Sequence, residues 1–345
     1  MAYISFQPND YFNTKIYSGT GSSNALTGVG FQPDFTWIKA RSTTYSHTLT
    51  DAVRGVTKHN ASNNSNAEYT STTEITSFDS DGFTVGTDSG VNNGSHTFAS
   101  WNWKANGQGS SNTDGGINTT YTSANTTSGF SIVTWTGTGS ASSIGHGLGV
   151  KPSMVILKST SNGYGWYTWH KGLSSEMNKY VRLDTTGSVA TDTSAFGSTA
   201  PTTTVFPIGT GNAGTNSSGH TYVAYCFAEK QGFSKFGSYT GNGNDDGSFI
   251  FTGFKPAFIL VKNAAITDNW SIFDNKRIGY NAFNYVLYAD ITNVGSNGLP
   301  MDILSNGFKW RTSAAMVNGS GNNCIYMAFA ESPIVSSNGV PAVAR

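Results

Sequence analysis

The sequence predicts an all-β protein made of three tandem, diverged antiparallel β-sandwich domains of the jelly-roll type. Two observations lead to this prediction: a composition that favours strands and tight turns, and a pattern that occurs three times along the 345 residues. The chain contains 41 glycines and 13% aromatic residues, whereas helix-forming leucine, glutamate and lysine are scarce. Aromatic and β-branched residues suit a half-buried sheet surface, and glycine suits its turns. A single core stops growing well below this length, so more than one domain is expected.

The first repeated segment is a short glycine turn that follows an aromatic residue. Residues 18–21 read Ser-Gly-Thr-Gly, residues 136–139 read Thr-Gly-Thr-Gly, and residues 240–243 read Thr-Gly-Asn-Gly. The aromatic residues in front of the three turns are Tyr17, Trp135 and Tyr239. We expect each turn to close the first strand of its copy.

The second repeated segment contains a proline, a run of mostly apolar residues and then a lysine. It occupies residues 31–39, 150–158 and 254–262, and the three registers agree without a gap. Such a run predicts a central strand that is buried on both faces. We expect the strand to end in solvent at its lysine, which is Lys39, Lys158 or Lys262 in the three copies.

Copies one and three also share an Asp-x-x-Arg motif that begins twelve residues after the lysine. The motif residues are Asp51 with Arg54 and Asp274 with Arg277, while copy two has His170 and Leu173 at these positions. A carboxylate and a guanidinium can orient a ligand. However, a single active site would occur once, whereas a pair that supports the fold would be kept in two copies. We therefore predict two structural ion pairs, each bracing a turn.

The repeat sets the predicted domain boundaries. The copies close with similar aromatic strands at residues 96–103, 220–227 and 324–331. The predicted units are repeat 1 (residues 1–104), a Gly/Ser/Asn/Thr-rich linker (105–128), repeat 2 (129–230), repeat 3 (231–332) and an irregular tail (333–345). Because only four residues join repeats 2 and 3, we expect these two to pack at a fixed angle and repeat 1 to be freer.

The charge balance argues against two classes of partner. Lysine plus arginine and aspartate plus glutamate number 20 each, and together they make up only 12% of the chain. Such a surface has no strong field to attract nucleic acid or an anionic membrane. No run of about 18 apolar residues and no secretory signal is present in the sequence. We expect neither nucleic acid nor a membrane as a partner.

No motif supports a catalytic, cofactor or metal site. Residues 209–214 match the Gly-x-Gly-x-x-Gly letters of a dinucleotide fingerprint, but threonine, proline and serine surround them instead of a strand and a helix, so a loop is predicted. Residues 79–82 resemble the start of a calcium loop that lacks its closing glutamate. Asp245 and Asp246 could join a calcium site, although exposed acidic turns are common. We expect no catalytic residue, cofactor or metal, and we interpret Cys226 and Cys324 as small apolar strand residues.

The densest aromatic cluster lies at residues 164–170. In a strand, alternation sends Trp166 and His170 to one face and Tyr167 and Trp169 to the other. One of these faces must be core, as expected for the corresponding Trp270 and Phe273. The other could stack on a sugar ring. Packing is the favoured interpretation, and the candidate glycan contacts are Tyr164, Trp166 and His170.

Five segments carry a resemblance to a known family. They are residues 10–15 (Asp-Tyr-Phe-Asn-Thr-Lys), 30–35 (Gly-Phe-Gln-Pro-Asp-Phe), 77–83 (Ser-Phe-Asp-Ser-Asp-Gly-Phe), 100–104 (Ser-Trp-Asn-Trp-Lys) and 339–341 (Gly-Val-Pro). Together they resemble a repeated-domain family of virion structural and tail-fibre-like proteins of marine bacteriophages. The resemblance covers essentially the whole chain. It implies a location in the virion after assembly in the host cytoplasm, but no catalytic residues.

The expected function is therefore that of an exposed, non-enzymatic bacteriophage virion protein: a tail fibre, a knob or a capsid decoration. Its expected partners are other virion proteins of the capsid or tail and host-surface polysaccharide. By analogy with many such proteins, a homo-oligomer, most simply a trimer, is expected. Two alternatives stay open: a depolymerase, in which acidic residues would converge in a groove between copies, and a soluble glycan-binding lectin.

Overall fold

The computed structural model describes residues 6–278, 280–335 and 341–342. The chain is all-β, with 42% of its residues in strands and 5% in helices, and the strand pairs within its sheets are antiparallel. The predicted all-β class is confirmed. The glycine turns and β-branched runs explain it, because they favour short strands that reverse direction often.

Repeat 1 forms a six-stranded sheet and a three-stranded sheet, preceded by a 3₁₀ turn at Pro8–Asp10. The larger sheet has the order β1-β9-β3-β4-β5-β6, and the smaller has the order β2-β8-β7. The elements are β1 (Phe12–Ser18), β2 (Asn24–Thr27), β3 (Phe35–Ala40), β4 (Thr48–Asp51), β5 (Lys58–Asn60), β6 (Tyr69–Thr70), β7 (Ile75–Asp79), β8 (Gly82–Val85), α1 (Ser89–Asn92) and β9 (Thr97–Trp103).

Repeat 2 has a similar plan, with one additional edge strand in the larger sheet and one strand fewer in the smaller sheet. Its larger sheet has the order β10-β11-β18-β13-β14-β15-β16, and its smaller sheet pairs β12 with β17. The elements are β10 (Tyr121–Asn125), β11 (Phe130–Thr136), β12 (Ser142–Gly145), β13 (Met154–Ser159), β14 (Tyr167–His170), β15 (Lys179–Arg182), β16 (Ala190–Thr191), β17 (Val205–Ile208), α2 (Ala213–Asn216) and β18 (Thr221–Phe227). The additional strand β10 lies in the segment 105–128 and covers the edge of β11.

Repeat 3 forms one continuous eight-stranded sheet, with the order β19-β26-β21-β22-β23-β24-β25-β20. The elements are β19 (Ser234–Thr240), β20 (Phe249–Phe251), β21 (Pro256–Asn263), β22 (Ser271–Asp274), β23 (Phe283–Tyr288), β24 (Ser296–Leu304), β25 (Gly307–Trp310), α3 (Ala315–Asn318) and β26 (Asn323–Ala330). In the tail, which was predicted to be irregular, β27 (Ile334–Val335) pairs with β28 (Pro341–Ala342). Residues 336–340 and 343–345 lie outside the described part.

The proline-to-lysine segments form the central strands β3, β13 and β21. Each lies between the closing strand of its repeat and the strand that follows it in the chain. Every residue of β3 and β13 is buried. The lysines at their ends, however, are not in solvent: Lys39, Lys158 and Lys262 are all 0% exposed. The prediction of a solvent-exposed end was wrong, because carbonyl groups of the following turn surround each ammonium group.

The three larger sheets share one core. Their inner faces contribute to a single cluster of buried side chains, while three outer clusters each belong to one repeat. Trp103, Phe227 and Phe329 occupy equivalent positions in the closing strands, and their rings meet one another. The ring centroids are 6.3 Å apart for Trp103 and Phe227, 5.8 Å for Trp103 and Phe329, and 6.2 Å for Phe227 and Phe329.

Equivalent hydrogen bonds join the repeats in a closed cycle. In each repeat one aromatic residue directly precedes β4, β14 or β22, the strand that follows the central strand in the chain. Its ring N–H donates to a backbone carbonyl of a neighbouring repeat. The bonds are His47 Nε2 to Tyr288 O (2.9 Å), Trp166 Nε1 to Ala61 O (2.9 Å) and Trp270 Nε1 to Arg182 O (2.8 Å). Repeat 1 thus bonds repeat 3, repeat 2 bonds repeat 1, and repeat 3 bonds repeat 2.

A second set of equivalent bonds involves the carbonyl two residues beyond each buried lysine. These bonds are Glu68 N to Thr160 O (2.9 Å), Val189 N to Ala264 O (2.8 Å) and Gly295 N to Arg41 O (3.2 Å). One head-to-tail contact repeated three times closes a ring about a pseudo-threefold axis. Repeat 1 is therefore as firmly held as the other two, and the expectation that it is freer was wrong.

Candidate functional site

The Asp51–Arg54 pair lies at the boundary between repeats 1 and 2. Arg54 Nε is 2.6 Å from Asp51 Oδ2, and both side chains are buried. The Tyr225 hydroxyl of repeat 2 donates to the same carboxylate oxygen at 2.8 Å, and Arg54 Nη1 contacts Glu68 at 2.9 Å. The carboxylate is thus held by its own turn and by the neighbouring repeat.

The Asp274–Arg277 pair repeats this arrangement between repeats 3 and 1. Arg277 Nε is 2.6 Å from Asp274 Oδ2, and the two side chains are 1% and 0% exposed. Trp101 Nε1, which occupies the position of Tyr225, donates to this carboxylate at 3.0 Å. A buried charge is tolerated where it is paired and hydrogen-bonded. Both pairs therefore lie at boundaries between repeats, where hydrogen bonds from the neighbouring repeat engage their carboxylates.

At the third boundary, His170 replaces the aspartate. Its Nδ1 accepts the Gly172 N–H at 2.9 Å, so its Nε2 carries the proton and donates to Tyr326 O of repeat 3 at 3.1 Å. Burial lowers the pKa of His170 from 6.5 to about 3, so the imidazole is neutral at pH 7. His170 thus serves the boundary between repeats 2 and 3.

This histidine gives a pH dependence that can be measured. The unfolded chain takes up a proton near pH 6.5, whereas the folded chain does so only near pH 3, so acidification between these values favours the unfolded state. Relative to a His170→Gln variant, the wild-type protein should lose stability as the pH falls from about 6.5 to 3. Urea unfolding of both proteins at several pH values measures this, and parallel curves would contradict it.

Trp166 and His170 cannot form an exposed sugar platform. Both are 0% exposed, because repeats 1 and 3 cover the face of repeat 2 on which they lie. Tyr167 and Trp169 pack into the outer core of repeat 2. Both faces of the aromatic cluster are therefore core, and the proposed glycan contact was wrong for Trp166 and His170. Tyr164 is 39% exposed and stays a candidate.

Burial strongly perturbs the three equivalent lysines. Burial lowers the pKa of Lys158 to about 7 and those of Lys39 and Lys262 to about 8. Lys39 Nζ donates to Ala40 O at 2.8 Å, and Lys262 Nζ donates to Thr186 O of repeat 2 at 2.9 Å. Perturbed lysines often mark catalytic sites. Here the same lysine occurs in all three repeats with carbonyl partners, which favours a role in closing the turns.

Two open grooves lie at equivalent boundaries between repeats. The groove between repeats 2 and 3 measures about 500 Å³ and is lined mainly by polar side chains; Lys151, Lys171, Ser175 and Ser238 are among them. The groove between repeats 3 and 1 measures about 200 Å³. At the third boundary the chain fills this place itself, since Asp34 accepts the backbone N–H groups of Ala105 and Gly107 at 2.7 and 3.1 Å.

The other candidate motifs form turns. Residues 209–214 lead into the four-residue helix α2, whose first turn is capped by Asn212, and they do not open a long helix. The Asp246 carboxylate contacts Lys309 at 2.7 Å, and Asp245 accepts the Ser313 N–H at 2.7 Å. Within the described residues, no group of three or more histidine, cysteine, aspartate or glutamate side chains is placed to hold a metal ion.

A comparison with protein families covers all three repeats. The model described as Domain of unknown function (DUF7483) matches residues 7–333. The chain belongs to this family. No curated protein matches the chain. Among the described residues no helix is long and apolar enough to span a membrane.

A buried asparagine that recurs in all three repeats of this DUF7483 chain was not predicted from the sequence. Asn92, Asn216 and Asn318 end the three short helices and are 0% exposed. Asn216 receives the Thr138 N–H at 3.1 Å and donates to Ser140 O and Gly209 O, so it fixes the glycine turn of its repeat. The signal was present, because the same residue type lies five positions before the first residue of each closing strand, Thr97, Thr221 or Asn323.

Proposed function

We propose that the protein is an exposed, non-enzymatic structural component of a bacteriophage particle, a fibre, knob or capsid decoration that attaches to other virion proteins and contacts host-surface glycans. We also infer that each repeat is a diverged β-sandwich of the jelly-roll type. The main support for a non-enzymatic function is the position of the side chains that could take part in catalysis. Asp51, Arg54, His170, Asp274 and Arg277 are all committed to the boundaries between repeats. The resemblance to virion proteins supports the location.

The grooves suit binding better than hydrolysis. Glycoside hydrolysis by the common mechanisms needs two carboxyl groups that flank the scissile bond. The described lining of the groove between repeats 2 and 3 contains no carboxylate, and that of the groove between repeats 3 and 1 contains only Glu331. Glu331 is paired with Lys255 at 2.7 Å. This favours a binding protein over the alternative depolymerase.

The location can be tested on purified particles. We expect density-gradient-purified virions to contain the protein in a fixed ratio to the major capsid protein, and gold-labelled antibodies against it to decorate one defined part of the particle. A non-virion protein from the same lysate is the control. Recovery of the protein only in the soluble fraction would contradict the proposal. Light scattering of the purified protein tests the homo-oligomer, which stays a prediction.

The glycan contact has its own test. Host polysaccharide should bind the protein saturably and keep its chain length. Replacing the half-exposed Tyr164 with alanine should weaken binding, whereas Tyr280→Ala, which removes another exposed tyrosine, should leave binding unchanged. Shortened polysaccharide chains would favour the depolymerase instead. Saturable binding together with absence from particles would favour the soluble lectin.

A further inference from the structure

Repeat 3 exposes two phenylalanines where the other repeats have small residues. Phe249 and Phe251 of β20 are 46% and 60% exposed and flank the buried Ile250. Strand pairing shows that Ile250, Leu26 and Ile144 are equivalent, since each faces the phenylalanine of the paired strand. The flanking residues are therefore Ala25 and Thr27 in repeat 1, and Ser143 and Gly145 in repeat 2. The fold forms without aromatic side chains here, so the phenylalanines call for another explanation.

Among the described residues, no strand pairs with the outer edge of β20. On its inner side, Trp310 N donates to Ser248 O at 3.3 Å and Thr252 N donates to Asn306 O at 3.0 Å. Because these groups alternate along an antiparallel strand, the backbone groups of Phe249 and Phe251 point away from β25. In the described part of the chain these outward groups have no hydrogen-bond partner. The edge therefore offers donors and acceptors to a further strand.

This edge also lacks the usual protection. Proteins commonly block exposed edge strands with lysine or proline to prevent pairing with other chains. The edge strands β1 and β19 carry Lys15 and Lys235. Residues 248–252 read Ser-Phe-Ile-Phe-Thr and contain neither a charge nor a proline. An open, apolar and uncharged edge is suited to strand pairing with a partner.

Repeat 2 shows what covers the equivalent edge. There Ile117 N donates to Ser143 O at 3.1 Å, and Ile117 forms a parallel bridge with Ile144. The chain then continues into β10, where Thr122 Oγ1 donates to Gly145 O at 3.4 Å. An extended segment of repeat 2 thus pairs with Ser143, which corresponds to Phe249, and then fills the space beside Gly145, which corresponds to Phe251.

In repeat 3 the corresponding space is a groove. It measures about 420 Å³ and lies between Phe251 of β20 and the start of β19 at Ser234 and Lys235; Glu229 and Gln231 also line it. Glu229 is neutralised by Lys171 and Lys235, at 2.6 and 2.7 Å. The groove is therefore polar with little net charge, as expected for a site that takes an uncharged segment.

We propose that the edge of β20 and this groove bind an extended, uncharged polypeptide segment of a partner protein, which adds a strand to β20. Its aliphatic side chain lies beside Ile250, as Ile117 lies beside Ile144, and the residues on either side of it pack against Phe249 and Phe251. Residues 115–125 of repeat 2 are the template for such a segment. The proposal does not depend on glycan binding or on location in a virion.

A peptide with the sequence of residues 115–125, which carries no charged side chain, is a suitable probe, because its own site in repeat 2 is already filled. We expect the fluorescein-labelled peptide to bind the full-length protein saturably, as followed by fluorescence anisotropy. Phe249→Lys and Phe251→Lys should each weaken binding about tenfold or more, since an exposed apolar contact is lost. Ala25→Lys, at the equivalent position of repeat 1, should leave binding unchanged. A peptide with Ile117→Asp should bind weakly.

Three results would overturn the proposal. One is an absence of saturable binding, and another is equal affinity for the wild-type protein and the two phenylalanine variants. The third is a light-scattering mass of two chains for the wild-type protein and of one chain for Phe249→Lys. In that case the edge would pair with a second copy of the protein. Far-ultraviolet circular dichroism and thermal unfolding show whether each variant is folded. We expect both variants to fold, because both phenylalanines are exposed.

Discussion

Replacing Trp103 with alanine should lower the free energy of unfolding by about 3–5 kcal/mol, the usual cost of removing a buried tryptophan. Trp103 is 1% exposed, and its ring meets Phe227 and Phe329 where the three repeats come together. Because all three repeats lose contacts, we expect one cooperative transition at lower denaturant concentration. Urea unfolding followed by both circular dichroism and fluorescence measures this.

Trp103→Phe is the matched control. It copies the residue that repeats 2 and 3 carry at this position, and it removes an indole N–H that has no hydrogen-bond partner among the residues that the structure describes. The cost should therefore stay below about 1.5 kcal/mol. If Trp103→Ala unfolded in two separate transitions, repeat 1 would be an independent domain and the shared core would not couple the repeats.

Replacing Asp274 with alanine should cost about 3–5 kcal/mol, because it leaves the buried guanidinium of Arg277 without its counter-charge. It also removes the acceptor of the Trp101 indole N–H from repeat 1. Glu331→Ala is the control, since the Lys255–Glu331 pair is largely exposed and should contribute no more than about 1 kcal/mol. Urea unfolding at pH 7 compares the two variants.

Repeat 2 suggests a further variant of the same site. It carries His170 and Leu173 where repeat 3 carries Asp274 and Arg277. The double variant Asp274→His with Arg277→Leu removes both charges together and supplies a side chain that can accept a hydrogen bond. It should therefore lose less stability than Asp274→Ala alone. If the double variant were the less stable of the two, the unpaired guanidinium would not be the source of the cost.

The sequence could predict the strands better than their assembly. The segments 31–39, 150–158 and 254–262 could be predicted as central strands because an apolar run and the proline before it are local signals. A strand with apolar residues on both faces does not reveal what covers the second face. Here another repeat covers it, so the three sheets share a core. The partners, such as Tyr225 for Asp51, lie far away in the sequence.

The candidate site was predicted least well for the same reason. The strand alternation of Trp166 and Trp169 was correct, but exposure of the first face could not be judged without the neighbouring repeats. The edge at Phe249 and Phe251 was overlooked because their exposure depends on whether another strand covers β20, and none of the described strands of repeat 3 does so. Only the comparison with repeat 2, where the linker covers this edge, makes that difference visible.

The cyclic order of the contacts affects how the chain can evolve. In a symmetric assembly of three identical subunits, every substitution at the boundary appears three times and must fit all three places. In this chain a substitution changes one boundary only. The three boundaries therefore carry different hydrogen-bonded pairs at matching positions: aspartate with tyrosine, histidine with a backbone carbonyl, and aspartate with tryptophan. Each third of the molecule can specialise while the other two preserve the scaffold.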